Sequence, residues 1–484
     1  MKRNNLTTAV VAGIAGVAGF AGLANAVDLN PDGLGQVLLY PYYTVNKGQD
    51  TLFSVVNTDA INGKAVKVRF LEGYNSREVL DFNLFLSPND VWTARVSQLA
   101  DDGGAAVFTT DKSCTTPKIP AGGQPFSAAT YTGLSTTPFN VKDSGPQGIT
   151  RTREGYLEII SMGDIIPGSD LSDAITHEDG VPPGCQTSVT IGNAPAADLV
   201  APTGGLFGSG TIINVGEGTF FGYNADAVDG FTDRPLFFGS SALEPSLQQA
   251  NTADLALGAR AFVFINGKLL QADYDLGIDA VSAVFMSDAL YNEYLVPAGL
   301  GANTDWIVTF PTKRFYVDPA FVAAVRAPFS ERFLGGESNV AVGIDLYDQE
   351  EGTTTVEEGF SPPVGSRPSS LPYEVNVISF LTDTTTGAPS GVFGSLLRPN
   401  ITPFGDAGWL RLGLNAAVEP HALPGGVTPS GVVTLNGLPA TGHMGYNIIN
   451  ANAAPGKLAN YGGLFRHRAS RSCTSTGDLD AACS

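Results

Sequence analysis

Acidic side chains are grouped in short stretches that could bind a cation. One group is Asp273, Asp275 and Asp279, and a second is Asp345, Asp348 and Glu350. Clustered carboxylate oxygens are the ligands that Ca²⁺ prefers. A strongly acidic protein also attracts divalent cations, because they relieve its self-repulsion. We therefore predict calcium at these two groups and no other cofactor. The alternative for each group is a solvated acidic loop without an ion.

Aromatic residues near the start of the chain could stack on sugar rings. The candidates are Tyr40, Tyr42, Tyr43 and Trp92, the first three of them in the cluster Tyr40-Pro41-Tyr42-Tyr43. An aromatic ring offers a flat apolar face, and its polar edge can hydrogen-bond. The sequence thus predicts a binding role for these four residues. The alternative is that they pack in the core or along the edge of a β-sheet.

The four cysteines predict disulfide bonds. They are Cys114, Cys185, Cys473 and Cys483, an even number with no C-x-x-C spacing, and three pairings are formally possible. Cys473 and Cys483 are close in sequence, while Cys114 and Cys185 both lie in loops rich in Pro, Gly and Thr. We predict the pairs Cys114–Cys185 and Cys473–Cys483. No nearby histidine or second cysteine completes a tetrahedral zinc site.

Motifs of the common catalytic classes are missing from the sequence. There is no G-x-S-x-G elbow for a serine nucleophile, no phosphate-binding G-x-x-x-x-G-K-[ST], and no dinucleotide fingerprint before a helix. The four histidines lie far apart in sequence. We therefore expect a protein that is not an enzyme. Paired carboxylates of a glycoside hydrolase are the exception, because the fold sets their spacing.

Charge and the N-terminus indicate where the protein acts. The 484 residues include 27 Lys plus Arg and 47 Asp plus Glu, for a net charge of −20 that repels nucleic acid. Lys2 and Arg3 precede an apolar stretch at 6–23 and the small-residue site Ala24-Asn25-Ala26, the pattern of a signal peptide cleaved before Val27. We predict a secreted or cell-surface protein, with the periplasm or the outer-membrane surface as alternatives. The mature chain has no further apolar stretch long enough to span a membrane as a helix; the alternatives are an uncleaved N-terminal anchor and an outer-membrane barrel.

The rest of the sequence favours a mainly β fold, with antiparallel β-sandwiches, long loops and a few short helices. With 58 glycines and 31 prolines the chain is rich in turns. Period-two alternation or short β-rich runs predict strands at 51–57, 66–70, 80–86, 91–96, 156–161, 211–215, 261–265, 306–310, 340–347, 373–381 and 409–414. In the second of these strands, Lys67 and Arg69 are expected to face outward. Long loops are predicted at 110–150 and 167–205, and helices at 279–294 and at 319–326 with Asp318 as N-cap.

We divide the chain into a signal peptide (1–26), an N-terminal β-sandwich domain (27–240), a C-terminal β-rich mixed domain (241–440) and a C-terminal tail with a disulfide (441–484). A single large sandwich with insertions is the alternative. The tail carries a small basic patch in an otherwise acidic chain: Arg466, His467, Arg468 and Arg471. This patch could dock on an acidic polymer or on a second copy of the chain.

Taken together, these features resemble those of uncharacterised exported proteins of Gram-negative bacteria that are described as cell-surface or surface-layer-like. The resemblance rests on the signal peptide, the acidic composition poor in His and Met, the Tyr40-Pro41-Tyr42-Tyr43 start, the strand at 51–57 that ends in Asn, and the tail at 466–473. It implies a structural or adhesive role and assigns no functional residue.

The predicted function is therefore a secreted structural, surface-coating or adhesive β-protein. Its partner would be a second copy of itself or a cell-surface polymer. The alternative is a secreted carbohydrate- or polymer-binding protein, or a hydrolase, with its site in the long loops.

Overall fold

In a computed structural model of the chain, the structure describes residues 26–100, 103–134, 141–187, 189–252, 258–353, 370–380, 388–416, 419–476 and 483; of residues 451 and 452 only the backbone is described. Apart from Ala26, the predicted signal peptide lies outside the described residues. The mainly β fold with several antiparallel sheets and few short helices is confirmed.

The N-terminal half forms two large antiparallel sheets; strands are numbered along the chain. Sheet A contains, in spatial order, β1 (Asp28–Leu29), β14 (Asp226–Asp229), β2 (Val37–Thr44), β10 (Glu154–Ile165), β4 (Gly63–Glu72), β5 (Glu78–Leu86) and β8 (Cys114–Thr116), with β11 (Leu199–Val200) beside β10. Sheet B contains β13 (Thr219–Asn224), β12 (Leu206–Asn214), β3 (Asp50–Asn57), β6 (Val91–Gln98), β7 (Ala105–Phe108) and β9 (Gln124–Pro125).

The C-terminal half forms smaller sheets. Sheet C contains β15 (Ala259–Ile265), β16 (Lys268–Tyr274), β25 (Ala422–Thr428), β26 (Gly431–Asn436) and β31 (Cys473–Thr476); sheet D contains β21 (Gly343–Asp348), β24 (Ala407–Gly413), β18 (Ala289–Leu295) and β30 (Arg468–Ser470). Sheet E contains β23 (Val375–Ser379), β19 (Ala302–Thr309), β28 (Thr441–Ala454) and β29 (Lys457–Arg466). Two short pairs join β17 (Met286–Ser287) to β27 (Leu438–Pro439) and β20 (Val340–Ala341) to β22 (Ser370–Leu371).

Short helices connect some of the strands. The α-helices are α1 (Ala129–Thr132), α2 (Asp170–Ile175), α3 (Gly277–Phe285) and α4 (Arg314–Val317), and 3-10 turns occur at Asn46–Gly48, Ile149–Arg153, Ala194–Asp198, Leu247–Gln249 and Ala298–Leu300. In the part of the chain described here, no helix is long and apolar enough to cross a membrane.

Both predicted helices need correction. The segment predicted at 279–294 is a helix only as far as Phe285, and its second half is strand β18. The helix predicted at 319–326 is wrong, because the helical turn α4 lies before Asp318. Asp318 instead accepts hydrogen bonds from the backbone N–H groups of Ala320, Phe321 and Val322, which makes a local turn after α4. A capping residue alone does not propagate a helix without an apolar face to pack.

Aromatic side chains from sheets A and B pack together in the core. Phe53 of β3 contacts Tyr40 of β2 and Phe70 of β4, with ring centroids 5.6 and 5.9 Å apart. Trp92 of β6 contacts Phe82 of β5 at 5.7 Å. These edge-to-face contacts pack side chains of the two sheets against each other. Sheet B therefore buries one face and leaves the other free.

Strand β4 differs from the alternating strand that the sequence predicts. All ten of its residues are buried, including Lys67 and Arg69, which were expected to face solvent. The Lys67 ammonium donates to the backbone oxygen of Ala242 at 2.7 Å, and Arg69 bonds Glu78 and Glu158. A loop at Ala242 thus covers the second face of sheet A near Lys67, while neighbouring strands of the same sheet supply the carboxylates that pair with Arg69.

The two predicted disulfides are present, Cys114–Cys185 and Cys473–Cys483. The first joins β8 to the loop that follows α2. Next to it, a small apolar cluster that includes Phe85, Met162 and Leu171 packs this loop onto the back of sheet A. The long loop is therefore held by a covalent bond and by its own core.

The predicted C-terminal tail contains regular structure. Residues 441–466 form the hairpin of β28 and β29, and β28 pairs with β19 along eight residues, from Ala302 to Thr309. The basic residues of this region are partly engaged: Arg466 pairs with Asp226 at 2.6 Å, His467 is buried, and Arg471 donates to backbone oxygens of Val284 and Met286. The division into domains itself stays a prediction.

Candidate functional site: a groove on the outer face of sheet B

The outer face of sheet B carries a ladder of hydroxyl groups. Along β3, Phe53 and Val55 point into the core, so Leu52 and Ser54 point outward. The strand register places Ser54 beside Ser209 of β12 on one side and Thr93 of β6 on the other. Ser54 and Ser209 share a hydrogen bond of 3.0 Å between their hydroxyl oxygens. The three hydroxyls therefore form a row across the sheet.

The neighbouring row combines apolar and cationic side chains. The strand register places Thr211 of β12, Leu52 of β3, Arg95 of β6 and Phe108 of β7 side by side in this row. Leu52 is 37% exposed, which is high for a leucine on a sheet. The guanidinium carbon of Arg95 lies 4.4 Å from the centre of the Phe108 ring, within the range of a cation–π contact. The two rows together present hydroxyl donors, a cation and apolar surface side by side.

These rows form the floor of an open groove of about 450 Å³. The turn after β7 and the loop around Ala121 supply its wall. Lining residues are Leu52, Phe53, Ser54, Thr93, Ala94, Arg95, Phe108, Thr109, Thr110, Ala121, Ser209 and Thr211. Among these described residues six carry hydroxyl groups, one carries a positive charge, and none is Asp or Glu. That composition stands out in a protein with a net charge of −20.

Backbone contacts hold the wall and the floor in place. Thr109 donates its hydroxyl hydrogen to the backbone oxygen of Thr93 at 2.6 Å, and the Thr93 N–H donates to Asp111 at 3.1 Å. The Phe108 ring lies over Gly123, where a Cβ atom would come within 2.4 Å of it. Gly123 has φ of +88°, so glycine suits this position for both reasons.

The four aromatic residues predicted to bind ligand lie in the core instead. Their exposed fractions are 0% for Tyr40, 1% for Tyr42, 0% for Tyr43 and 0% for Trp92. Burial raises the pKa of each of the three tyrosines well above its usual value. Their rings offer no surface to a sugar in this structure. All four rings belong to the larger apolar core of the described residues, where large side chains fill the interior.

Tyr40 nevertheless supports the groove from below. Its hydroxyl donates to the backbone oxygen of Ser54 at 2.7 Å. A Cβ atom at Gly208 would lie 1.9 Å from the Tyr40 oxygen, so the missing side chain at Gly208 lets the tyrosine reach the floor. Trp92 directly precedes Thr93 and points to the opposite face of β6. Tyr40 and Trp92 thus lie beneath the floor of the groove, on its buried side.

The predicted calcium ligands do not come together. Asp273 pairs with Arg260 at 2.7 Å, and Asp345 pairs with Arg411 at 3.0 Å. Asp279 accepts from the hydroxyl of Tyr316 at 2.7 Å. The remaining residues lie on surface turns: Asp275 and Glu350 are exposed, and Asp348 accepts the backbone N–H groups of Glu350 and Gly352.

No group of three His, Cys, Asp or Glu side chains that could hold a metal occurs in the described ranges. Calcium binding stays a prediction.

The sequence does not predict the groove. The sequence predicts a strand at 51–57, but it does not reveal which strands lie beside β3. Strand β12 pairs with β3 over a separation of more than 150 residues. Only the register brings Ser209, Ser54 and Thr93 into one row.

Comparisons with protein-family models, with curated proteins and with solved structures found no match to this chain. The resemblance to exported surface proteins therefore stays a prediction.

Proposed function

We propose that this protein is an exported, adhesive cell-surface protein that binds a polysaccharide in the groove of sheet B. The observation that carries the proposal is the composition of the groove, with six hydroxyl-bearing residues and one arginine and no Asp or Glu among its described lining residues. Serine and threonine hydroxyls both donate and accept hydrogen bonds, as sugar hydroxyls do. Leu52 and Phe108 offer apolar surface to the C–H faces of a sugar ring.

The shape of the groove favours a polymer. It is open to solvent along the sheet, whereas sites for small molecules usually enclose most of the ligand surface. A chain can therefore cross the sheet and continue beyond it. Arg95 adds a cation with several donors, so an acidic sugar such as a uronic acid would gain a charge-assisted hydrogen bond that a neutral sugar lacks.

We propose further that sheets A and B form the β-sandwich that the sequence predicts. The ring contacts of Phe53 and Trp92 across the two sheets support this arrangement. Such a core keeps the floor of the groove rigid, which limits the entropy lost on binding. Export is supported by the two disulfides, because disulfides persist in oxidising compartments.

Binding to a panel of immobilised polysaccharides, followed by titration calorimetry with the best one, tests the proposal. The informative variant is Thr93→Val, which keeps the shape of the side chain and removes one hydroxyl from the row. We expect affinity to fall about tenfold, because one well-placed hydrogen bond contributes about 1 kcal/mol or somewhat more. Arg95→Met should selectively weaken binding of acidic chains.

Thr434→Val is the matched control, because Thr434 is a partly buried threonine on β26 of sheet C, away from the groove. This control should bind as tightly as the wild type. Equal affinity of the Thr93 and Thr434 variants would contradict the groove as the site. If no polysaccharide is retained and the protein instead assembles into regular arrays in electron micrographs, the surface-coating role would replace the adhesive one.

A further inference from the structure

Sheet D, in the C-terminal half of the chain, buries one face and exposes the other. Leu346, Leu410 and Leu412 belong to the larger apolar core and are at most 1% exposed. Because side chains alternate along a strand, the residues between these leucines point outward. On that outer face, Trp409 of β24 is 39% exposed. The face shares no strand with the groove of sheet B.

Trp409 stands between Tyr347 and Glu293. The strand register pairs Trp409 with Tyr347 of β21 on one side and with Glu293 of β18 on the other. The rings of Trp409 and Tyr347 are stacked, with centroids 4.3 Å apart and an angle of 12° between their planes. This distance is close to the roughly 4.8 Å between neighbouring strands, so both rings stand upright on the sheet. The second face of the indole is therefore turned toward β18 and Glu293.

Polar groups without a partner border this second face. Glu293 is exposed, and its carboxylate forms no hydrogen bond or ion pair with another described residue. Tyr291 lies on the same face of β18, and the register places Arg468 of β30 beside it. The Arg468 side chain is exposed and is likewise unpaired in the part of the chain that the structure describes. An aromatic face, a carboxylate acceptor and a guanidinium donor thus occupy two neighbouring rows of the sheet.

The charges on this outer face balance. Asp345 and Arg411, in the same row as Tyr291, form an ion pair of 3.0 Å. Glu293 and Arg468 add one charge of each sign, so the face favours neither an anion nor a cation. A neutral sugar fits it better, because sugar hydroxyls both donate and accept hydrogen bonds, as these two side chains require. The C–H face of a sugar ring is apolar and matches the flat indole of Trp409.

We propose that the outer face of sheet D binds a neutral polysaccharide, with one sugar ring stacked on Trp409. Glu293 accepts hydrogen bonds from hydroxyl groups of that ring, and Arg468 donates to the adjoining part of the polymer. The face is open, so the chain continues beyond it. Because different residues form the two surfaces, this proposal does not depend on binding in the groove of sheet B.

Intrinsic fluorescence of the whole protein gives a direct readout at this site. The chain has three tryptophans, and both Trp92 and Trp306 are fully buried. Acrylamide in solution therefore quenches mainly Trp409. The ligands are three neutral polysaccharides, dextran, laminarin and galactomannan, and the reference is poly(vinyl alcohol), which has hydroxyl groups but no sugar rings. We expect at least one polysaccharide to protect Trp409 from acrylamide along a saturating curve. Protection no greater than that by poly(vinyl alcohol) would contradict the proposal.

Substitutions of Trp409 test the stacking contact. Affinity electrophoresis in gels that contain the same polysaccharide measures binding without the fluorescent reporter. We expect Trp409→Ala to weaken binding about tenfold, since the aromatic face is lost. Trp409→Tyr keeps a flat ring and should restore most of the affinity. Tyr461→Ala is the matched control, because Tyr461 is a 66% exposed aromatic residue on β29 of sheet E. This control should bind like the wild type.

Glu293→Gln tests the carboxylate and leaves the aromatic pair intact. Binding should weaken about threefold, because a hydrogen bond to an ionised acceptor is stronger than one to a neutral acceptor. Glu178→Gln makes the same change of net charge at an exposed loop position and should have no effect. Equal affinities of these two glutamine variants would overturn the proposal. This comparison and the quenching experiment remain decisive even if Trp409→Ala does not fold.

Two further outcomes would assign the binding elsewhere. Thr93→Val, in the groove of sheet B, should leave binding of the neutral polysaccharide unchanged. A loss caused by Thr93→Val and not by Trp409→Ala would place the polysaccharide in the groove and exclude the face of sheet D. A dimer that Trp409→Ala converts to a monomer in size-exclusion chromatography would make this face a contact between two copies of the chain, and would overturn the proposal as well.

Discussion

At the scale of single residues, the unusual feature is the number of charges buried in ion pairs. Lys64 is fully buried, and its ammonium nitrogen lies 2.6 Å from Asp164, which is 1% exposed. Arg151 is held between Glu72 at 2.7 Å and Asp143 at 2.6 Å, again with almost no exposure. Such pairs contribute little net stability compared with apolar packing, but breaking one strands a charge. The buried ion pairs therefore restrict where the covering loops can lie, because another placement would leave a buried charge unpaired.

The substitution Asp164→Asn should lower the free energy of unfolding by about 3 kcal/mol, because it leaves the buried Lys64 without its closest carboxylate. Asp345→Asn provides the comparison, since its pair with Arg411 has both side chains more than 40% exposed. That change should cost about 1 kcal/mol or less. Urea unfolding of both variants measures the difference. Equal losses would show that the Lys64 pair is not structurally important.

The residue pattern explains why part of the fold can be predicted from the sequence. Alternation predicts β4 and β5 in the right places, and short β-rich runs next to turn residues predict β3 and β6. The alternation along β4 also predicts that Lys67 faces solvent, but Lys67 is buried. In the sequence alone, a buried lysine looks the same as a lysine at the surface. Only a tertiary contact, the hydrogen bond from Lys67 to the Ala242 backbone oxygen, shows that a loop covers this face of the sheet.

At the scale of elements, the C-terminal hairpin departs most from expectation. Strand β28 is rich in Gly, Asn and Ala, residues with low β-propensity, so it reads as a tail. Its pairing with β19 on one side and β29 on the other overrides that preference. The hairpin also brings His443 and His467 into the core, where burial lowers the pKa of His443 to about 3 and that of His467 to about 4, with Arg466 adding to both shifts.

These histidines make the stability depend on pH. Between pH 6.5 and pH 4 the unfolded chain binds a proton at position 467 and the folded chain does not, so stability is fully present above pH 6.5 and falls as the pH drops. The shift at His467 corresponds to roughly 3 kcal/mol over this range. Its ring is neutral in the fold because burial penalises the charged form, and this outweighs the hydrogen bond from Nε2–H to the Ile307 oxygen at 3.0 Å, which by itself raises the pKa. The other ring nitrogen, Nδ1, lies 3.2 Å from the Asn292 amide nitrogen.

We expect His467→Gln to flatten the curve of unfolding free energy against pH between 7 and 4. Thr434→Val, at a partly buried position of β26 that carries no titratable group, serves as the control and should leave the slope unchanged. Denaturant unfolding at five or six pH values gives the comparison. Parallel curves for the wild type and the His467 variant would exclude His467 as the source.

At the scale of the whole molecule, the two halves of the chain share a core. The larger apolar cluster in the described residues runs from Val27 to Cys473. Hydrogen bonds also cross between the halves, from Thr309 to Pro41 at 2.6 Å and from Tyr156 to Pro311 at 3.2 Å. Contacts of this kind couple the folding of both segments.

Calorimetry should therefore show one unfolding transition for the purified protein. Two separated transitions would instead support the division into domains at 27–240 and 241–440. Repeating the scan in the presence of a bound polysaccharide should shift the whole transition, since a ligand on sheet B stabilises everything that unfolds with it.

The disulfide Cys114–Cys185 has a consequence for the response of this protein to proteolysis. It spans 71 positions of the chain, and the described part of this span includes exposed loop residues such as Lys118 and Glu178, the kind of position where proteolytic cuts concentrate. A cut anywhere between the two cysteines leaves both fragments joined by a covalent bond, and the small apolar cluster keeps the loop packed on sheet A. Such a nick would change the number of chain ends without releasing a fragment, so the two parts of the chain would stay joined.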